Sequence, residues 1–210
     1  MSDASQALRE PWPDFRLQRQ GVGLGMWIFL ASEILFFGAL FCSYAVYRSF
    51  NDEAFRVAGE HTGIVYGSIN TVLLLTSSLT MTVALRAATL EMRKLTLIFL
   101  ALTAALGLAF LACKGLEYRE DLKQHLFPGP DFPLSPAATQ LFWGFYWIMT
   151  GIHAVHLSAG IAVVGGVFVL FKRRIVPVQG STMEGAAIYW HFVDAVWLVL
   201  FPLLYLVGRS

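Results

Sequence analysis

The strongest constraint on this 210-residue chain is a series of five long apolar runs separated by short polar segments. Hydrophobic residues make up 57% of the sequence, charged residues make up 14%, and the mean hydropathy is +0.62. So little charge cannot cover a soluble globule, whereas about 20 consecutive apolar residues suffice for a helix to cross a bilayer. The runs cover residues 23–47, 64–85, 95–112, 142–171 and 186–207.

These runs predict an all-α polytopic membrane protein with a bundle of five transmembrane helices. In hydrocarbon every backbone polar group must be hydrogen-bonded within the protein, which leaves helices and closed β-barrels as spanning structures. The alternation of polar and apolar residues that is typical of barrel strands is missing from the sequence. We therefore predict one membrane domain over residues 23–208, preceded by a polar N-terminal tail over residues 1–22.

The distribution of basic residues predicts the orientation of the helices, because cytoplasmic segments carry an excess of Lys and Arg. One side of the predicted topology holds nine basic residues: Arg9, Arg16, Arg19, Arg86, Arg93, Lys94, Lys172, Arg173 and Arg174. The other side holds six: Arg48, Arg56, Lys114, Arg119, Lys123 and Arg209. This difference predicts that the N-terminus lies inside and the C-terminus outside. The formal net charge of +1 gives no reason to expect a nucleic-acid partner.

Two further patterns concern the connections and the packing of the helices. Residues 114–138 begin with charged side chains and contain four prolines, which predicts a long external loop. Small residues recur at every fourth position in two spans, where they allow helix backbones to approach closely. They are Ala101, Ala105 and Ala109 in the third span and Ser158, Ala162 and Gly166 in the fourth. We favour packing within the chain over contact with another subunit.

A carboxylate, Glu33, lies ten residues inside the first apolar run. An ionised carboxylate is costly in the middle of a span, so Glu33 must be neutral, paired or enclosed by protein. Two interpretations stay open at this point. Glu33 either forms a structural hydrogen bond to a neighbouring helix, or it contributes to a proton path or a lipid contact.

Three histidines also lie inside predicted spans. His153 and His156 share one face of the fourth helix, and His191 precedes Asp194 by three residues in the fifth. Together with Glu33 they would converge in the bundle, but they are too few for a di-iron site or for two bis-histidine haems. We expect no metal ligands, a hydrogen bond from His191 to Asp194 along their helix, and contacts of Trp190 and Trp197 with lipid or with a neighbouring helix. No catalytic template is found either, so we expect no catalytic residue in this chain.

Several of these residues lie in motifs of one family. The segment from Gly25 to Phe37, GMWIFLASEILFF, resembles subunit III of the haem-copper terminal oxidases, the cytochrome c oxidase subunit III family. The segment TGIHAVH around His153 resembles the family's G-x-H-x-x-H span, AIYWHFVDAVW around His191 resembles its Y-W-H-F-V-D-x-V-W signature, and Glu117 with Tyr118 matches its E-Y pair. The similarity runs in order over residues 23–208, and the last signature is specific.

The resemblance implies an accessory subunit of a proton-pumping oxidase of aerobic respiration in a bacterial inner (plasma) membrane. Haem and copper would lie in the partner subunits I and II and none in this chain, which would bind phospholipid, support proton uptake and stabilise the catalytic subunit. Glu33 would be the family's buried carboxylate near the contact with subunit I. Four other residues would lie in the polar interior of the bundle: His153, His156, His191 and Asp194. The chain would thus be a component of an oxidoreductase complex that does not itself carry the catalytic centre.

The sequence departs from many members of this family, which have seven spans, because it lacks the first two. Five-span subunits occur in quinol oxidases, which often have Asp at the position of Glu33, and a related five-span protein accompanies some nitric oxide reductases. We expect a cytochrome c oxidase subunit, with these two assignments as alternatives. An independent membrane metalloenzyme or transporter that uses the span histidines is the alternative from a different class.

Overall fold

A computed structural model describes residues 15–130, 132–135, 137–175 and 181–207, and this part of the chain contains six helices and no strand. The helices are α1 (Phe15–Phe50), α2 (Asp52–Glu60), α3 (Ile64–Thr89), α4 (Arg93–Lys123), α5 (Thr139–Lys172) and α6 (Ser181–Tyr205). Outside the described residues lie positions 1–14 of the predicted polar tail, positions 131, 136 and 176–180 within the predicted membrane domain, and position 208 at its end. Among the described residues, α1 begins eight positions before the predicted first span.

All of the helices except α2 are long and apolar enough to cross a membrane, which confirms the predicted class of polytopic helical membrane protein. The helices extend beyond the apolar runs, most clearly in α4, which continues to Lys123. The external loop therefore begins at Gln124 and not at Lys114, because Lys114 and Glu117 in this last part of α4 form an ion pair inside the bundle. Without Lys114 the outer side keeps five basic residues against nine, and the inside location of the N-terminus stays a prediction.

The short helix α2 was not predicted from the sequence, because its nine residues combine charged and apolar side chains. It is amphipathic, with Ala54, Phe55 and Ala58 buried on one face. Gly59 lies so close to the end of the described chain that an added Cβ would collide with the Val207 carbonyl oxygen. The helix thus closes one end of the bundle between the first two spans.

Four helices form a closed ring, in which α3 packs on α4, α4 on α5, α5 on α6, and α6 on α3. Helix α1 lies outside this ring and contacts α5, α6 and α2. Its membrane-spanning window is only 11% buried, compared with 44% for that of α6. Most of the surface of α1 is therefore left for lipid or for another protein.

The ring is packed closely where glycines face large aromatic side chains. A Cβ added to Gly107 on α4 would lie 2.8 Å from the indole of Trp190, and one added to Gly160 on α5 would lie 3.3 Å from the same ring. Trp190 is fully buried between these two glycines. Close approach of backbones at small residues is how membrane helices gain dispersion contacts, and here an indole from α6 occupies the space.

The two stripes of small residues on α4 and α5 do not form this packing. All six of their members are exposed in the chain: Ala101, Ala105, Ala109, Ser158, Ala162 and Gly166. Our preference for packing within the chain was therefore wrong. The core positions are instead Gly107 and Gly160, which lie on other faces of the same helices.

The close contact at Gly107 provides a test of the helix packing. We expect Gly107→Ala to lower the free energy of unfolding by about 1–3 kcal/mol, because the methyl group overlaps a buried indole that has no room to move. Gly115→Ala on the same helix is the matched control, since no described residue lies within 4 Å of its added Cβ. Thermal denaturation of the two purified variants, followed by circular dichroism, measures the difference. Equal stability of the two variants would contradict this packing.

Candidate functional site

Glu33 on α1 is paired with His156 on α5. Its Oε2 lies 3.0 Å from His156 Nε2, and the two side chains are only 18% and 20% exposed. The other ring nitrogen of His156, Nδ1, lies 2.9 Å from the Ile152 carbonyl oxygen and therefore carries a hydrogen. The hydrogen between His156 and Glu33 can belong to either partner, so the pair shares one proton in an Nε2···Oε2 hydrogen bond.

Aromatic side chains surround this pair on the protein side. The ring of Phe37 meets the His156 imidazole edge to face with centroids 5.2 Å apart. The Tyr189 hydroxyl of α6 donates a 3.0 Å hydrogen bond to the His156 carbonyl oxygen. The pair therefore lies at the junction of α1, α5 and α6, enclosed by protein on one side and close to the surroundings of α1 on the other.

The second histidine of the same helix points elsewhere. His153 is 1% exposed and packs between Phe110 and Trp197, with ring centroids 5.7 and 5.2 Å away. Neither of its ring nitrogens has a hydrogen-bond partner among the described residues. His153 and His156 lie one turn apart, but the first faces the ring of four helices and the second faces α1.

His191 and Asp194 do not form the hydrogen bond that we expected along α6. His191 Nδ1 lies 2.8 Å from the Ser78 hydroxyl of α3, and its Nε2 lies 3.5 Å from the Thr82 hydroxyl. Asp194 is 4% exposed. Its carboxylate lies near the same Ser78, but neither of its oxygens makes a well-formed hydrogen bond with any described residue. The polar groups of α6 are directed towards α3 because hydroxyls on that helix are within reach.

Both tryptophans of the last signature also face α3. The indole of Trp190 donates to the Ser77 hydroxyl and that of Trp197 donates to the Thr71 hydroxyl, each at 3.1 Å. The two tryptophans are 0% and 1% exposed. Of the two contacts considered from the sequence, the neighbouring helix is therefore present in the chain and lipid is excluded by burial.

A second polar centre, which we call the Lys114 cluster, consists of Lys114, Glu117, Asp121, Tyr146 and Tyr205. Lys114 is 2% exposed, and its ammonium donates to Glu117 Oε2 at 3.0 Å, to the Tyr146 hydroxyl at 2.9 Å and to the Tyr205 hydroxyl at 2.5 Å. The Tyr205 hydroxyl donates to Glu117 Oε1 at 2.8 Å. These contacts join α4, α5 and α6 through charge-assisted hydrogen bonds.

Sequence reasoning identified Glu117 and Tyr118 through the family motif but missed the cluster, because it assigned Lys114 to a loop. The spacing was informative: Lys114, Glu117 and Asp121 are three and four residues apart, which places them on one face of a helix. The ring of Tyr118 lies 4.8 Å from the Lys114 ammonium, but its hydroxyl bonds outside the cluster. Its hydroxyl lies 2.7 Å from the Thr150 hydroxyl, and its ring stacks on Trp147 at 4.5 Å.

The polar residues predicted from the sequence thus lie in several separate places. In the part of the chain that the structure describes, no group of three or more His, Cys, Asp or Glu side chains is placed to share a metal ion. His156, His153 and His191 have three different sets of neighbours. These side chains form contacts between helices, and the absence of haem and copper from this chain stays a prediction.

The Lys114 cluster makes a prediction for stability. We expect Glu117→Gln to lower the free energy of unfolding by about 3–5 kcal/mol, because it removes the buried carboxylate that accepts hydrogen bonds from the Lys114 ammonium and from two phenols. Glu120→Gln is the matched control on the same helix. Glu120 is exposed and accepts a hydrogen bond from Tyr66, so its loss should cost less than about 1 kcal/mol. Thermal denaturation of both variants checks the ranking, and a Glu117→Gln variant as stable as the control would contradict it.

Comparison with known proteins places these features in one family. The family model described as cytochrome c oxidase subunit III matches residues 15–209. Quinol oxidase subunit 3 of Bacillus subtilis is 31% identical over 191 residues, which cover 88% of this chain and 86% of that protein. Cytochrome c oxidase subunit 3 of Thermostichus vulcanus is 33% identical over 204 residues, which cover 94% of this chain and 90% of that protein. The chain is a multi-pass membrane protein that belongs to the cytochrome c oxidase subunit III family of the haem-copper oxidases.

Proposed function

We propose that the chain is the accessory subunit III of a proton-pumping cytochrome c oxidase in a bacterial plasma membrane. In this role it contacts the catalytic subunit I, and subunit II within the complex, binds phospholipid and supports proton uptake. Haem and copper are held by the partner subunits. The relatives from Bacillus subtilis and Thermostichus vulcanus support the bacterial location.

The observation that carries this proposal is the separation of the span histidines. A metalloenzyme needs its imidazoles to converge on one ion, but here each imidazole faces a different helix. His156 bonds to α1, His191 bonds to α3, and His153 packs between rings of α4 and α6. Such side chains hold helices together, which is what a supporting subunit requires of them.

The exposure of α1 supports a partner on this side of the bundle. The side chains of Trp27, Ile28 and Leu35 are 67%, 63% and 74% exposed. In a membrane such a surface is covered by lipid tails or by the helices of another subunit, and both occupants belong to the proposed role. The Glu33 and His156 pair lies at the seam where α1 joins the ring, beside this surface.

A quinol oxidase is the second candidate, because the relative from Bacillus subtilis is named as a quinol oxidase subunit and matches most of the chain. The Thermostichus vulcanus relative has a similar identity and is named as a cytochrome c oxidase subunit. We favour cytochrome c because Glu33 is present where quinol oxidases often have Asp.

Purification of the complex through an affinity tag on this chain tests the proposal. We expect a haem-bearing partner to co-purify and the complex to consume oxygen with reduced cytochrome c as the electron donor. Oxygen consumption with a quinol but not with cytochrome c would establish the second candidate. A tagged chain that purifies alone with its own haem or metal would overturn both.

Loss of the Glu33 carboxylate should accelerate the inactivation of the complex during turnover more than it lowers the initial rate of oxygen consumption. In Glu33→Ala, His156 Nε2 loses its hydrogen bond to the Glu33 carboxyl group. This loss should lower the free energy that holds α1 against α5 by about 1–3 kcal/mol. We expect assembly and the initial rate of oxygen consumption to stay near those of the wild type and inactivation during turnover to become faster.

The matched control for this experiment is Ser32→Ala on the same helix. Ser32 is exposed, and its hydroxyl bonds back to the Phe29 carbonyl oxygen of its own helix. Oxygen consumption followed over many turnovers compares the two variants with the wild type. If Glu33→Ala matches Ser32→Ala in both rate and inactivation, the carboxylate has no part in the function.

A further inference from the structure

The Lys114 cluster has more hydrogen-bond contacts than its ordinary protonation states can supply. The hydroxyl of Tyr146 has three partners: it accepts from the Lys114 ammonium at 2.9 Å and lies 2.9 Å from Glu117 Oε1 and 2.8 Å from Asp121 Oδ2. A phenol carries one hydrogen and donates it once. If both carboxylates were ionised, one of these two oxygens would face the phenol oxygen with no hydrogen between them.

One additional proton removes this conflict. If Asp121 is protonated, its hydroxyl donates to the Tyr146 oxygen, which then accepts from Asp121 and from Lys114 and donates to Glu117. Glu117 stays ionised and accepts from Tyr146 and Tyr205 at Oε1 and from Lys114 at Oε2. Every contact then has one donor and one acceptor.

The same proton also balances the charge. The cluster contains one ammonium and two carboxyl groups, and Lys114, Glu117 and Asp121 are 2%, 1% and 5% exposed. Two ionised carboxylates would leave one negative charge without a counter-ion in a buried site, which is costly. A tyrosinate at Tyr146 would add a further negative charge beside them, and a neutral lysine would remove the cation of the cluster. With one protonated acid and an ionised partner for the ammonium, the cluster is neutral and each of its contacts is a hydrogen bond.

The proton belongs on Asp121 and not on Glu117. Glu117 uses both of its oxygens to accept, one from the ammonium and the other from two phenols. Among the described residues, the side chain of Asp121 is hydrogen-bonded to Tyr146 alone, through Oδ2. Hydrogen bonds from a cation and from phenols stabilise the ionised form of Glu117, whereas the Lys114 ammonium donates to Glu117 and not to Asp121.

We propose that the Lys114 cluster is a binding site for a single proton, held by Asp121 between α4 and α5. This inference goes beyond the proposed accessory role and does not rest on it. Asp121 lies two residues before the end of α4, next to the exposed Glu120, so the site is close to the polar boundary of the membrane. It is separate from the Glu33 and His156 pair, which lies at the seam with α1.

Infrared difference spectroscopy of the purified complex tests the proposal, because a protonated carboxylic acid has a carbonyl stretch that a carboxylate lacks. We expect the difference between wild type and Asp121→Asn at neutral pH to contain one such band that is lost in the variant. The amide introduced by this substitution keeps a hydrogen donor to Tyr146, so the variant should still fold and assemble. The control Glu120→Gln removes an exposed neighbouring acid and should leave the band in place. An Asp121→Asn spectrum that retains every carboxylic acid band of the wild type would overturn the proposal.

Two further measurements test the proposal even if the Asp121→Asn variant fails to assemble. Tyr146→Phe keeps the ring in the core but removes the acceptor, so the same band should shift in wavenumber, and an unchanged spectrum counts against the site. In the wild-type complex labelled with ¹³C at its aspartate carboxyl groups, the band should move to lower wavenumber, and it should stay in place under glutamate labelling. A band that moves only with labelled glutamate would put the proton on Glu117 and overturn the assignment to Asp121.

Discussion

Hydrocarbon offers a polar side chain no hydrogen-bond partner, and this constraint determines how α3 and α6 are joined. Trp197 donates to Thr71, Trp190 donates to Ser77, and His191 meets Ser78. Thr71, near the start of α3, meets Trp197 near the end of α6, whereas Ser78 further along α3 meets His191 nearer the start of α6. This order is the one that antiparallel packing requires. Each contact fixes both the rotation and the depth of α6, because the indole and imidazole nitrogens would be unsatisfied after a shift by one turn.

The same constraint produces two polar centres of different character. The Lys114 cluster is closed, with five side chains satisfying one another in the interior of the ring. The Glu33 and His156 pair is smaller, and each of its side chains keeps about a fifth of its surface exposed. The closed cluster holds three ring helices at one end of the bundle. The partly open pair joins the ring to the one spanning helix that has little other protein contact within the described part of the chain.

The class of fold and the number of spans followed from the sequence because apolar length alone decides whether a helix can cross a bilayer. Helix ends did not follow, since composition predicted a loop from Lys114, whereas pairing with Glu117 lets α4 continue to Lys123. The hydrogen-bond partners of the polar residues could not be predicted from the sequence either. That His156 meets Glu33 while His153 does not depends on the position of α1, which no local pattern specifies.

Under the proposed function, the Glu33 and His156 pair contributes to the attachment of α1, the helix that faces lipid or a partner subunit. Helix α1 is only 11% buried over its membrane-spanning window, so few apolar contacts within the chain hold it against the ring. A single hydrogen bond then contributes a larger share of its attachment than it would in a fully packed helix. The strength of that bond depends on the shared proton, because a carboxylate and a neutral imidazole with no hydrogen between them repel each other. The pair thereby anchors the helix whose outer face is available to lipid and to a partner subunit.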